Sequence, residues 1–153
     1  MLDGAVITAD ALHLHDETIR QIVEDKNGHL LVGLKGNRET LLGEVVGAFA
    51  AASPGVIQRD WSQCSGHGRI ETRVTEIIAF KTQTKYPHLQ TAVRVTRTRE
   101  TVRKGEVVHK STEVSYYVAT FPPHMFAPSV VQALIRGHWT IENRLHHVKD
   151  RTM

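Results

Sequence analysis

The run "IRGHWTIENRLHHVKD" places His138, Glu142 and His146 at intervals of four residues. On a helix that spacing stacks all three on one face, while Trp139, Leu145 and Val148 are set to form an apolar stripe. A histidine and a glutamate one turn apart can share a zinc ion. The H-E-x-x-H pattern of metalloproteases is absent, however, and no third ligand stands at a recognisable spacing. A second carboxylate, Asp10, closes the short apolar run "GAVITAD" near the other end. An acid at the carboxyl end of a parallel strand lies where loops converge and ligands bind, although the same position suits a helix cap or a turn. His13 and His15 follow it, either to assist a metal or phosphate or simply as polar loop residues. From spacing alone Glu142 is a solvated carboxylate, a metal ligand among histidines, or half of a pair with a distant partner.

The elements that must position these groups follow from periodicity. Residues 2–9 read as a buried strand. "HDETIRQIVEDKNG" carries Ile19, Ile22 and Val23 at helical spacing, with Asp16 as a cap and Asn27-Gly28 as a stop signal. "HLLVGLKGN" is a second buried strand, and a second helix capped by Asn37 runs to Ser53-Pro54-Gly55. This strand-helix-strand order predicts a parallel pair with a right-handed crossover. "RIETRVTEIIAF", "TAVRVTRTRE" and "VVHKSTEVSYYVAT" then alternate polar with β-branched or aromatic residues, separated by turns at Tyr86-Pro87 and Lys104-Gly105. They form either a separate antiparallel sheet or an extension of the first. Beyond Pro122-Pro123 a long helix is predicted over residues 128–149. The expected fold class is mixed α/β (α+β): a β-α-β-α segment over residues 1–59, a β-rich segment over 60–120 and a late helix within 121–153.

The 153 residues are enough for one domain, and the 41% hydrophobic and 23% charged composition is that of a globular protein. No apolar run reaches the roughly 18 residues of a membrane span, so no membrane partner is expected. The lone Cys64 cannot form an internal disulfide and no secretory signal is visible, which together favour a cytoplasmic setting. The net charge of +3 is mild. Its clustering is stronger: Lys81, Lys85, Arg94, Arg97, Arg99, Arg103, Lys104 and Lys110 face only Glu100 and Glu106 over that stretch. Such a run is either a solvated strand face or a surface that contacts a nucleic-acid backbone.

Four stretches, "VITADALH", "LLVGLKGN", "HGRIETR" and "RGHWTIENRLHHVKD", occur in an order that resembles the second half of insertion-sequence DDE transposases of the ISAs type. The H-W-x-I-E-N-x-L-H block is the most specific of them. The resemblance covers almost the whole chain and implies a partial RNase H-like fold. It also implies metal-dependent cleavage and transfer of DNA strands, with transposon ends and target DNA as partners and a homo-oligomer as a possible assembly. By position it makes Asp10 the second catalytic aspartate and Glu142 the catalytic glutamate, with His13, His138, Trp139, Asn143 and His146 as supporting motif residues. Two divalent metals about 4 Å apart can activate an attacking oxygen and stabilise a leaving one. Mg²⁺ or Mn²⁺ held by Asp10 and Glu142 would suit that task, leaving the histidines around the metals rather than on them. Neighbouring families carry an arginine four residues before the glutamate and a lysine seven after it. Here those positions hold His138 and Lys149, so Lys149 is expected on a phosphate, and Arg136 either substitutes for the missing arginine or serves the surface or helix packing. Arg97, Arg99, Arg103 and Lys104 complete the expected DNA-binding set.

Members of the family carry the first catalytic aspartate on an earlier strand, in a run resembling D-G-K. Asp3 is too close to Asp10, and on the same strand, to serve. The expectation is therefore a chain truncated at both ends, with an open sheet edge, poor solubility and no strand transfer on its own. Two other readings are a non-catalytic DNA-binding module, whose basic strands grip DNA without chemistry, and a small metal-binding α/β protein.

Overall fold

The computed structural model describes residues 5–10, 16–34, 39–82, 86 and 88–137, with Asp10 and Asp16 described by their backbone alone. In chain order the elements are β1 (Val6–Asp10), α1 (Asp16–Arg20) continuing into a π-helical turn (Gln21–Asp25), β2 (His29–Leu34), α2 (Glu39–Ala51), β3 (Gln58–Gly66), β4 (Arg69–Ala79), β5 (Thr91–Arg103), β6 (Glu106–Ala119) and α3 (Pro128–Arg136). The cap expected at Asn37 and residues 138–149 of the predicted late helix lie outside the described residues.

Parallel pairing joins β1 to β2, from Val6 opposite His29 to Asp10 opposite Gly33. The first helix stops as expected, with Asn27 in the left-handed region at φ 53°. Gly28 N–H closes the last turn on the Ile22 carbonyl at 2.8 Å. The β-rich segment extends the first sheet: β6 runs antiparallel to β2, and one six-stranded sheet forms in the order β1-β2-β6-β5-β4-β3.

Burial on both faces explains why "LLV" in β2 is continuously apolar rather than alternating. Leu30, Val32 and Leu34 join Ile19, Leu41, Val45, Phe49 and Ile78 under α1 and α2. Leu31 points the other way, with Ile77, Val93, Val95, Phe121 and Val131 of α3. The sheet is thus a middle layer, with α1 and α2 on one face and α3 on the other. Burying each of these aliphatic side chains contributes about 1.5–3 kcal/mol.

One buried group on the α3 face lacks a partner. Thr75 is fully buried, and among the described residues its Oγ1 meets no hydrogen-bond donor or acceptor. An unmet buried hydroxyl costs about 1–3 kcal/mol. Thr75→Val should therefore raise stability by about 1 kcal/mol, seen as a higher urea midpoint at unchanged slope; a lower midpoint would mean the hydroxyl is satisfied.

The four antiparallel strands continue well beyond the helices. Every residue from Glu106 to Val114 of β6, and from Trp61 to Gly66 of β3, is exposed. This arm rises about 30 Å above Arg94, at about 3.3 Å per residue. Its two tips are two-residue turns with positive φ at both positions, His67 (53°) and Gly68 (73°), then Lys104 (53°) and Gly105 (77°). These are I′ turns, whose twist matches the flanking strands. A Cβ on Gly68 would stand 3.1 Å from the Val102 carbonyl oxygen, so that turn needs glycine for space as well as for φ.

Candidate strand-end carboxylate and nucleic-acid face

Strand direction decides what shares an end of the sheet. β1 and β2 run the same way, and β6 runs against them with Tyr116 opposite Leu34. The arm and both tips therefore project from the end at which β1 closes on Asp10. Register decides the face. Asp10 pairs with Gly33, Gly33 with Tyr117, Tyr117 with Val93 and Val93 with Ile77. Leu31, Val93 and Ile77 belong to the core beneath α3, so the register position of Asp10 falls on the α3 face. The ring of Tyr117 lies across Gly33, where an added Cβ would come within 3.3 Å of it. Burial raises the Tyr117 phenol above its ordinary value, with Arg73 and Arg97 close enough to oppose the rise.

The direction of α3 is fixed by two contacts with β3. Gln58 Nε2 donates to the Pro123 carbonyl at 3.0 Å just before the helix, and Gln132 Nε2 donates to Ser62 Oγ at 3.1 Å within it. The helix thus climbs alongside β3 toward the Asp10 end of the sheet. Arg136, exposed, follows Gln132 by one turn. Glu142, His13, His138, Trp139, Asn143, His146 and Lys149 lie outside the described residues. Among the described residues no group of three His, Cys, Asp or Glu side chains is arranged to hold a metal ion, and no helix is long and apolar enough to cross a membrane.

Beyond the core the arm separates its charges by face. β4 and β5 pair Arg73 with Arg97 and Glu71 with Arg99, while β6 sets Glu113 opposite Arg97. Arg73 Nε meets Glu71 Oε1 at 2.7 Å, Arg99 Nε meets Glu71 Oε2 at 3.5 Å, and Arg97 Nη2 meets Glu113 Oε2 at 2.7 Å. The Arg73 hydrogen bond, followed by the charges of Arg73, Arg99 and Arg97, holds the Glu71 carboxyl below its usual range. These residues and Arg69 lie on the α3 face, as Ser62 and Cys64 do in β3. Arg103 is exposed at the foot of the tip turn and Lys104 forms its first residue.

Arg94 differs from the basic surface expected of its run. It points to the opposite face, where its Nε donates to Glu76 Oε1 at 2.8 Å and its guanidinium sits 4.6 Å over the Phe49 ring. Arg59 completes the row, donating from Nη2 to Glu76 Oε2 at 2.7 Å. Sequence reading also passed over Arg69 and Arg73. Their signal was present in "RIETR", where a period of two puts both arginines on one side of a strand.

Among protein families, the one described as Transposase DDE domain matches residues 1–153, the whole chain. No curated protein and no solved structure matches it.

Proposed function

The chain belongs to the transposase DDE domain family, and from that premise we propose that Asp10 and Glu142 are two of its catalytic carboxylates. The observation that carries this reading is directional. Asp10 closes the parallel strand β1 on the α3 face, and α3, which leads in sequence to Glu142, climbs that same face toward the same end. A strand-end aspartate and a late-helix glutamate offer hard oxygen donors from opposite ends of the sequence, which suits Mg²⁺ or Mn²⁺. When bound, the metal supplies activation of the attacking oxygen and neutralisation of charge on the leaving one. The residues' own part is to orient the phosphodiester. Lys149 and Arg136 would grip phosphate beside the carboxylates, while His13, His138, Trp139, Asn143 and His146 shape the surroundings. The motif order further favours the insertion-sequence branch of the family, acting on transposon ends and target DNA.

Iron substitution tests the assignment without requiring turnover. With Fe²⁺ in place of Mg²⁺ and a reductant present, hydroxyl radicals should cut the polypeptide near residues 10 and 142 in one reaction. Asp10→Asn or Glu142→Gln should suppress both cuts; cutting elsewhere, or cutting indifferent to both variants, removes the pair. No residue of this chain is assigned as the first aspartate. The isolated chain is therefore expected to bind labelled end DNA without nicking it, and nicking abolished by Glu142→Gln would overturn that expectation. The second reading, a DNA-binding module without chemistry, draws on the arginines of the arm. Salt-dependent binding unaffected by Asp10→Ala and Glu142→Ala, together with no iron cutting, would favour it.

A further inference from the structure

We propose that the DNA backbone docks on the α3 face of the β-arm, on Arg69, Arg73, Arg97 and Arg99, and that Glu71 and Glu113 hold these guanidiniums as stand-ins for phosphate. This rests on the reading of the chain as a DNA-acting protein and says which surface the DNA meets.

The partition of charge carries the argument. Below the tip turns four guanidiniums share this face with three carboxylates, Glu71, Glu113 and, beside Thr75 at its foot, Asp60, which leaves a surplus of one positive charge. The opposite face of the same arm presents the row Trp61, Val74, Thr96 and Val114 and the row Gln63, Thr72, Thr98 and Thr112. Its charges beyond Arg94 are Glu100 and Lys110, which are cross-strand partners of each other. A polyanion has nothing to gain there. On the basic face a cleft of about 350 Å³ is lined by Arg69, Ile70, Glu71, Arg99, Glu100, Thr101, His109 and Ser111, so two guanidiniums, a ring nitrogen and two hydroxyls offer donors there alongside two carboxylates. That donor set is the chemistry of phosphate recognition.

Spacing agrees. Arginines two apart on one strand stand about 6.7 Å apart and neighbouring strands about 4.8 Å apart, so adjacent guanidiniums can reach successive phosphates. From Arg97 to the register row of Asp10 is four residues down and three strands across, about 20 Å in all. A duplex lying on the arm would therefore pass the strand-end carboxylate within about six base pairs, at about 3.4 Å each. The carboxylates explain how the face is kept ready. Glu71 and Glu113 fix Arg73, Arg97 and Arg99 with their donors already directed, and the two non-bridging oxygens of a phosphodiester offer a like pair of acceptors. The exchange of one anion for another makes binding weaker than the bare arginine count suggests.

The test is fluorescence anisotropy of a labelled duplex against the 153-residue chain over a salt series, with thermal melts to confirm folding. Arg69→Ala and Arg99→Ala should each weaken binding several-fold and lower the salt slope by about 1. Arg69 and Arg99 are the exposed members, so the fold should tolerate both changes. Glu113→Gln should tighten binding, and Lys110→Ala, on the other face, should leave the slope unchanged. Cys64, the single cysteine, lies exposed on the basic face opposite Glu71, and bound DNA should slow its alkylation. If the chain binds DNA but Lys110→Ala weakens it as much as Arg69→Ala, or Cys64 reacts as fast in the complex, this face is wrong and the wider reading stands. Absence of salt-dependent binding by the wild-type chain would sink both.

Discussion

Glu76→Ala should cost about 3 kcal/mol of folding stability, a loss near the lower end of that for breaking a buried charge pair. Glu76 is 4% exposed in the middle of β4, and both its oxygens are engaged by Arg59 and Arg94. Removing the carboxylate leaves Arg94 half-buried against Phe49 with no countercharge, whereas Arg59 can relax into solvent. Urea unfolding followed by circular dichroism gives the number; a loss under about 0.5 kcal/mol would mean the row behaves as a solvated surface pair. The same carboxylate sets a pH dependence. Burial by itself would raise its pKa, but hydrogen bonds from Arg94 and Arg59 outweigh that, and the net direction is down. A group depressed on folding contributes its full stabilisation above its unfolded value, here the ordinary 4.5, and loses it as pH falls through the folded one. The wild-type chain should lose stability more steeply in acid than Glu76→Gln does.

Phe121→Ala is the second large effect, at about 3–5 kcal/mol. Phe121 is fully buried where β6 gives way to the segment leading into α3. Its ring meets Phe126 edge-on at 5.0 Å and His29 at 6.2 Å, and it shares a core with Val131 of α3. The cavity would remove the wedge that seats α3 on the sheet. Limited proteolysis should then cut between residues 122 and 127 faster than in the wild type. Phe121→Leu should restore most of the stability; an alanine variant as stable and as resistant as the wild type would show that α3 is held by other contacts.

What the sequence made legible follows from where one face is wet and the other dry. The parallel pair was readable from its apolar runs and from Asn27-Gly28, and the hairpin from Lys104-Gly105. The strand β3 was not, because "WSQCSG" is exposed on both faces and so carries no apolar alternation. Arg94 illustrates a different limit. Within "VRVTRTRE" it looks like one more surface cation. Only pairing with β4 brings Glu76 beneath it, and only packing of α2 brings Phe49 over it. Glu71 and Glu113 likewise meet Arg73, Arg97 and Arg99 across strands, so a count along β5 alone overstated the free charge. At the site, Asp10 ends a parallel strand as its sequence context indicated, while Glu142 and the residues around it lie outside the described part.

The tip turns bear on more than the ends of the arm. Side chains in a strand alternate sides, so a slip of one residue in either hairpin would carry every arginine on the displaced strand to the opposite surface. Distal to the core no buried apolar set penalises such a slip. His67-Gly68, Lys104-Gly105 and the irregularity between Thr101 and Val102 are what remain to forbid it. In this arm turn chemistry, rather than hydrophobicity, decides which side is positively charged, and a glycine that touches no ligand thereby governs where an anion can settle.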